Sequence, residues 1–274
     1  MTQSSILIVG ATGQLGTRIL KRLASEGERP RALVRSLAKA QAIQSVAFPV
    51  LGDLRDPDSL RDAFEGAERV FIVAPPVQDM ELIERNAIDA ALKAGAKRIV
   101  YLSNFAAKEG SVMMPMHVHG LHERVIASLG LEFTVLGPTR YMTNFPFNWP
   151  SVIDDGILLE AGGDGLMTCI DPDDVAEIAA MALTEDGHSG AVYRLTGDDA
   201  FSASGLAELL SKVLQREIRT VRSNEQNPLG GYFGLVAAGV YERTETAANL
   251  LGRRPRSYAD WLQQNLPALA SPVW

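Results

Sequence analysis

Cysteine is nearly missing from this chain of 274 residues: Cys169 is the only one. A single thiol excludes an intramolecular disulfide and a thiolate-held metal cluster, and leaves Cys169 the role of a small core residue. Basic residues are not in excess either, since 26 Lys and Arg stand against 33 Asp and Glu for a formal charge of -7. That balance gives no support to a surface that follows nucleic-acid phosphates, so no nucleic acid is expected as a direct partner. Long apolar runs are lacking as well. The first, Ile6-Leu7-Ile8-Val9, is far shorter than the roughly 20 residues of a membrane span, and Met1 to Ser5 bring no basic residue before it. The expectation is a cytoplasmic protein, off the membrane, with small-molecule partners.

What is present is ample apolar content, 46% of residues, enough for a continuous core. Short β-branched runs alternate with stretches of helical period, the pattern of parallel strands joined by crossover helices. Strands are expected at 6–9, 31–34, 47–51, 69–73, 98–102 and 132–136, with helices near 14–26, 37–44, 57–65, 79–94 and 117–129. Asp56-Pro57 and Asp171-Pro172 each place a capping residue before a first-turn proline. The fold class is α/β: a Rossmann-type doubly wound parallel sheet with a small C-terminal substrate lobe. The core spans 1–138 and the lobe 139–274. Within the lobe, 139–165 lacks a clear period, about 166–196 returns to the core sheet, and Gly230-Gly231 could hinge a C-terminal segment.

The first strand leads into Gly10-Ala11-Thr12-Gly13-Gln14-Leu15-Gly16. A glycine turn between strand and helix lets backbone N–H groups and the helix dipole face a pyrophosphate that side chains would obstruct. Gly10, Gly13 and Gly16, with Thr12, Gln14 and Leu15, are therefore candidate dinucleotide-binding residues. At the end of the second strand an acid would bind a ribose 2′-hydroxyl, whereas a cation accepts a 2′-phosphate. Arg35 stands there, with Lys39 one helical turn on, which favours NADP(H) and leaves NAD(H) as the second choice. Asp53, followed by Leu54, lies where a carboxylate can meet an adenine amino group.

Taken together, Gly10 to Gly16, Leu33-Val34-Arg35, Gly52-Asp53-Leu54 and Ala74-Pro75-Pro76 resemble the NmrA-like branch of atypical short-chain dehydrogenases/reductases. Within it, Met116-His117-Val118-His119 is similar to the corresponding segment of bacterial NAD(P)H:quinone oxidoreductases and triphenylmethane reductase. The tail from Gly252 to Trp261 also looks family-like. The resemblance implies a cleft that holds nicotinamide and substrate, with Ala74, Pro75 and Pro76 bordering the cofactor and Ser103, Asn104 and Phe105 beside the nicotinamide.

Typical members of the parent superfamily carry Tyr-x-x-x-Lys, whose phenol donates a proton to a carbonyl. No tyrosine lies between Ser103 and Arg140; with His119 at the lysine position, Pro115 occupies that of the tyrosine. The gap suits acceptors that take hydride without a proton donor, such as quinones or cationic dyes. His117, His119, His122 and Glu123 crowd seven residues, but His117 and His119 diverge by about 200° around a helix, and no metal is expected. His119, braced by Glu123, is expected to hydrogen-bond the nicotinamide ribose or the substrate, with Ser103 as the second catalytic candidate. The alternative is a helix-start histidine with solvent partners.

On the substrate side, Tyr141, Met142, Asn144, Phe145, Phe147 and Trp149 follow the sixth strand, where open α/β sheets bind ligands. Phe105, Tyr141, Asn144 and Phe145 are the candidates for contact with a small aromatic substrate; the alternative for each aromatic is packing of the loop onto its own lobe. Two functions stay open: an NADPH-dependent oxidoreductase for quinone-like acceptors, and a non-catalytic redox sensor acting through a protein partner. A homo-oligomer is compatible with either.

Overall fold

The computed structural model describes residues 4–144, 149–160, 165–222 and 242–269. Two compact units emerge: one from residues 1–137 and 175–194, the other from 138–174 and 195–274.

The first unit is a βα repeat: β1 (Ile6–Ile8), α1 (Gln14–Ser25), β2 (Arg31–Val34), α2 (Leu37–Ile43), β3 (Phe48–Leu51), α3 (Pro57–Phe64), β4 (Arg69–Ile72), α4 (Met80–Lys93), β5 (Arg98–Leu102), α5 (Met114–Ala127) and β6 (Glu132–Pro138). These strands pair in parallel, and with the later β10 (Ala191–Leu195) they form a seven-stranded sheet in the order β10-β6-β5-β4-β1-β2-β3. Every residue of β1 and β2 is buried, as expected when helices cover both faces of a parallel sheet. The helices supply apolar stripes of matching period: Leu15, Ile19, Leu20 and Leu23 on α1, and Leu60, Ala63 and Phe64 on α3. Leu60 and Phe64 join Leu7, Val70, Ile72, Ile99 and Val135 in one core. Asp56 caps α3 by accepting from Asp58 N, with Pro57 in the first turn; loss of such a cap costs about 1 kcal/mol.

The chain reverses its direction of growth between β1 and β4. From β1 it extends through β2 to β3, then returns to lay β4 on the other side of β1. Open α/β sheets leave a crevice at such a switch point, at the carboxyl ends of the strands.

The second unit contains β7 (Arg140–Tyr141), a short 3-10 turn (Met142–Asn144), α6 (Trp149–Asp155), β8 (Ile157–Glu160) and β9 (Met167–Ile170). After α7 (Pro172–Thr184) and β10 come β11 (Ala200–Phe201), α8 (Ala203–Leu214), β12 (Arg219–Arg222), α9 (Thr246–Leu251) and α10 (Tyr258–Leu269). The stretch without visible period thus holds real elements, each too short to show one. β8 pairs in parallel with β12, and β9 is flanked by β7 and antiparallel β11. The return to the large sheet is narrower than the sequence suggested, because β9 belongs to this second sheet. There β9 pairs with β7 and β11, and Gly197 lies close behind it, since a Cβ on Gly197 would come within 2.0 Å of the Cys169 carbonyl oxygen. Cys169 itself is fully buried, and burial pushes its thiol up. No helix among the described residues is long and apolar enough to cross a membrane.

Candidate dinucleotide site and its histidine cluster

Gly10, two residues past β1, has φ +74°, a left-handed conformation that glycine adopts without steric cost. A Cβ there would also meet the Val73 side chain at 2.5 Å and its carbonyl oxygen at 2.6 Å, because β4 runs alongside. Gly13 N donates to Gly10 O at 3.0 Å and closes the turn. Gly16 allows the first turn of α1 to lie against it. No side chain caps Gly13, the N-cap of α1, and no acid stands in the first turn. The positive end of the helix dipole is therefore left for an outside anion. Thr12 is half-buried, Gln14 exposed and Leu15 buried, so Leu15 serves the core through its side chain and can offer a ligand only its backbone.

One strand away, Arg35 directly follows β2 and is exposed, as is Lys39. Ser36 caps α2 by accepting from Lys39 N at 3.3 Å, which fixes the backbone between the two cations. Neither has an ion-pair partner among the described residues. Asp53 is anchored from both sides: its N donates to Ser59 Oγ at 2.9 Å, and its Oδ1 accepts from Arg55 N at 2.9 Å. Leu54 O accepts from Asn86 Nδ2 at 2.7 Å. Arg55 in turn forms a two-pronged pair with Asp79 at 2.6 and 3.0 Å, and this neighbour holds the Asp79 carboxyl below its usual range. At the end of β4, Ala74 is buried while Pro75 and Pro76 are exposed.

Past β5, Ser103 is buried and its hydroxyl donates to Glu123 Oε1. Glu123 accepts from Arg194 at 2.8 and 2.7 Å, and Arg194 also donates to Asn104 O at 3.2 Å. Gly137 makes room for this guanidinium, since a Cβ there would come within 2.4 Å of Arg194 Nη1. The expected bracing of His119 by Glu123 is therefore corrected: Glu123 is claimed by Arg194, a cation 71 residues away. His119 instead meets Tyr101, its Nδ1 lying 2.9 Å from the phenol oxygen. Burial lowers its pKa, against the opposing pull of Glu84 and Glu123.

Proline explains why α5 starts at Met114, ahead of the expected 117, for Pro115 stands in its first turn. The three histidines there part company. His117 Nδ1 accepts from Gly110 N at 2.8 Å and pins the preceding loop. His122 is buried against Glu84 at 2.7 Å, whereas His117 and His119 both keep some exposure. Glu84 and Tyr101 were not anticipated. Glu84 carried one faint signal, as a lone acid on the apolar face of α4 formed by Met80, Ile83, Ala87, Ile88 and Ala91.

Of the substrate-side candidates, Phe105 is half-buried after β5 and Tyr141 is half-buried in β7. Asn144 is exposed, and its carbonyl accepts from Arg140 Nε at 2.5 Å. Trp149 and Met142 are buried, so neither offers an open stacking face. Phe145, Phe147 and Gly230-Gly231 lie outside the described residues.

A model of the NmrA-like family matches residues 2–228. NAD(P)H azoreductase from Xenophilus azovorans is 33% identical over 218 residues, covering 79% of this chain and 76% of its own. The NADPH-dependent quinone oxidoreductase from Escherichia coli, solved with NADPH, is 28% identical with a TM-score of 0.83 and covers 95% of this chain and 99% of its own. Triphenylmethane reductase from Citrobacter sp., solved with NADP(H), is 25% identical with a TM-score of 0.82, covering 94% and 99%.

Proposed function

This chain belongs to the NmrA-like family, and from that premise we propose that it is an NADPH-dependent oxidoreductase reducing quinone-like or other electrophilic aromatic acceptors. The observation that carries the reading is the uncapped glycine turn at the switch point, with Arg35 and Lys39 unpaired at the end of the neighbouring strand. Backbone amides from Gly10 to Gly16 hold the pyrophosphate. Arg35 grips the 2′-phosphate through its planar fork, and Lys39 adds a point charge. Asp53 and Leu54 border the adenine; Ala74, Pro75 and Pro76 line the path toward Ser103 and His119 at the nicotinamide end. Bound NADPH supplies a hydride, two electrons with one proton.

What the described residues beside His119 do not supply is an obvious acid. The Ser103 hydroxyl already donates its hydrogen bond to Glu123, and no tyrosine stands between Ser103 and Arg140. A ketone needs a proton delivered as its alkoxide forms. A quinone yields a stabilised phenolate that water can protonate, and a cationic dye needs no proton. The site chemistry therefore suits electrophilic aromatic acceptors.

Following NADPH and NADH oxidation with quinones, an azo dye, a triphenylmethane dye and a simple ketone tests this. Turnover with the first three classes, faster with NADPH, is expected. Tight NADPH binding without turnover on any acceptor would overturn the enzyme reading and return the sensor that acts through a protein partner.

A further inference from the structure

Beneath His119 lies a buried polar cluster that the proposed reaction leaves unassigned. Glu84 of α4 is fully buried, as is Tyr101 of β5, and His122 of α5 is nearly so. The Tyr101 hydroxyl donates to Glu84 Oε2 at 2.7 Å, and His122 Nδ1 lies 2.7 Å from the same oxygen. Glu84 Oε1 and His122 Nε2 have no hydrogen-bond partner. Four polar groups are thus connected in one line: His119, Tyr101, Glu84, His122.

The polarity of that line follows from donor counting. A phenol has one proton, and Tyr101 spends it on Glu84. Its oxygen can then meet His119 Nδ1, at 2.9 Å, only as an acceptor, so Nδ1 must carry hydrogen. At the other end, His122 Nε2 is buried and unpartnered, and a bare lone pair is a smaller loss there than a stranded N–H. The His122 proton therefore sits on Nδ1 and also points to Glu84. His122 thus donates to Glu84 directly, whereas His119 is linked to it through the Tyr101 hydroxyl.

We propose that Glu84 and Tyr101 are positioning residues that hold His119 in its Nδ1–H form, so that its Nε2 faces the ligand as a bare acceptor for a hydroxyl. The imidazole side chain is 13% exposed, and Nε2 is absent from the buried polar atoms that lack partners, which leaves this nitrogen open to solvent. The charged and titratable groups around it are Glu84 from α4, Tyr101 from β5, His122 and Glu123 from α5, and Arg194 from β10. Burial outweighs the acids and keeps the ring neutral near pH 7.5. A neutral ring in this form cannot give a proton to a reduced acceptor. It can take a hydrogen bond from a ribose hydroxyl of the cofactor or from a hydroquinone product. This assignment rests on the preceding reading that His119 meets the bound ligand, but its central claim is about a tautomer that exists without ligand.

Imidazole 15N NMR of the full-length labelled protein at pH 7.5 tests it, with the His119 signals assigned by their loss in His119→Asn. A protonated Nδ1 and a bare Nε2 are expected. In Tyr101→Phe the acceptor for Nδ1–H is removed, and the populations should move toward Nε2–H. Glu84→Gln, which preserves size, should do the same, because the amide can donate to the phenol oxygen and turn the Tyr101 proton toward His119. A wild-type Nε2–H form, or both variants leaving the tautomer unchanged, would overturn the proposal. Separate additions of NADP+ and of a hydroquinone identify the hydroxyl source by which one shifts Nε2. No shift with either, at concentrations where binding is shown by calorimetry, removes the acceptor role. Failure of the reductase reading would instead show as absent turnover with the tautomer intact, so the two are separable.

Discussion

A Cβ on Gly16 would stand 2.2 Å from the carbonyl oxygen of Gly10. The first turn of α1 and the end of β1 therefore touch backbone to backbone, and no rearrangement of a side chain can relieve an intruding methyl group. Gly16→Ala should cost about 1–3 kcal/mol by overpacking and should displace the amides of the turn. Urea denaturation and NADPH titration are expected to show both losses. An alanine variant with wild-type stability and affinity would mean that the turn does not hold the cofactor.

Arg35→Ala removes the planar cation at the end of β2 without touching the core, since the residue is exposed. A charge-assisted hydrogen bond contributes about 1.5–3 kcal/mol, which corresponds to roughly tenfold to a hundredfold in affinity. The NADPH dissociation constant should rise by that factor in fluorescence titration, while that for NADH stays within about twofold. Equal losses for the two cofactors would count against a 2′-phosphate contact.

Ser103→Ala should be mild. Its hydroxyl already donates to Glu123, and Arg194 holds that carboxylate from the other side at 2.7 and 2.8 Å. A loss in kcat below about tenfold is expected when the serine only accepts or positions, because general acid catalysis is worth about 100-fold or more. A fall beyond that range in steady-state kinetics with a quinone would restore Ser103 as a proton donor.

Asp171 offers a pH test in the second unit. It is fully buried; its Oδ1 accepts from Asp173 N at 2.9 Å, and Arg256 Nη1 comes within 2.8 Å of Oδ2 without making a hydrogen bond to it. Burial raises its pKa from 3.8 to about 6, against the attraction of Arg256. A folded value above the unfolded one means that its contribution to stability is complete below about pH 4 and lost as pH rises through about 6. Asp171→Asn should flatten this dependence, changing the stability difference from wild type by about 2 kcal/mol between pH 4 and pH 7. Parallel urea curves at the two pH values measure the change. An identical difference at both would show that Asp171 does not titrate differently on folding.

The parts of this molecule that could be read from sequence are those in which the relevant residues are neighbours along the chain. The glycine turn, the six early strands and the capping prolines all announce themselves within a few positions. Arg35 was legible because it follows its strand directly. Contacts across elements were not. Glu123 shares a helix turn with His119 and seemed its natural partner, yet Arg194 supplies a full guanidinium fork that an imidazole cannot match. Tyr101 falls within the expected strand 98–102, but nothing local marks that its hydroxyl reaches Glu84 on α4. Strands β7, β8, β9 and β11 of the second unit were missed for a different reason: two to four residues are too few to establish alternation.

Because residues 175–194 belong to the first unit, the ribosome must release a chain of at least 194 residues before the seven-stranded sheet can be completed. Until then Phe133 O lacks Gly190 N, Thr134 Oγ1 lacks the His188 carbonyl, and Arg98 lacks that of Glu185. The β6 edge stays open during that interval, as an unpaired strand prone to the wrong partner. An expression fragment ended at Gly137 would carry the same open edge permanently. The second unit thus begins to emerge from the ribosome before the first has all of its parts.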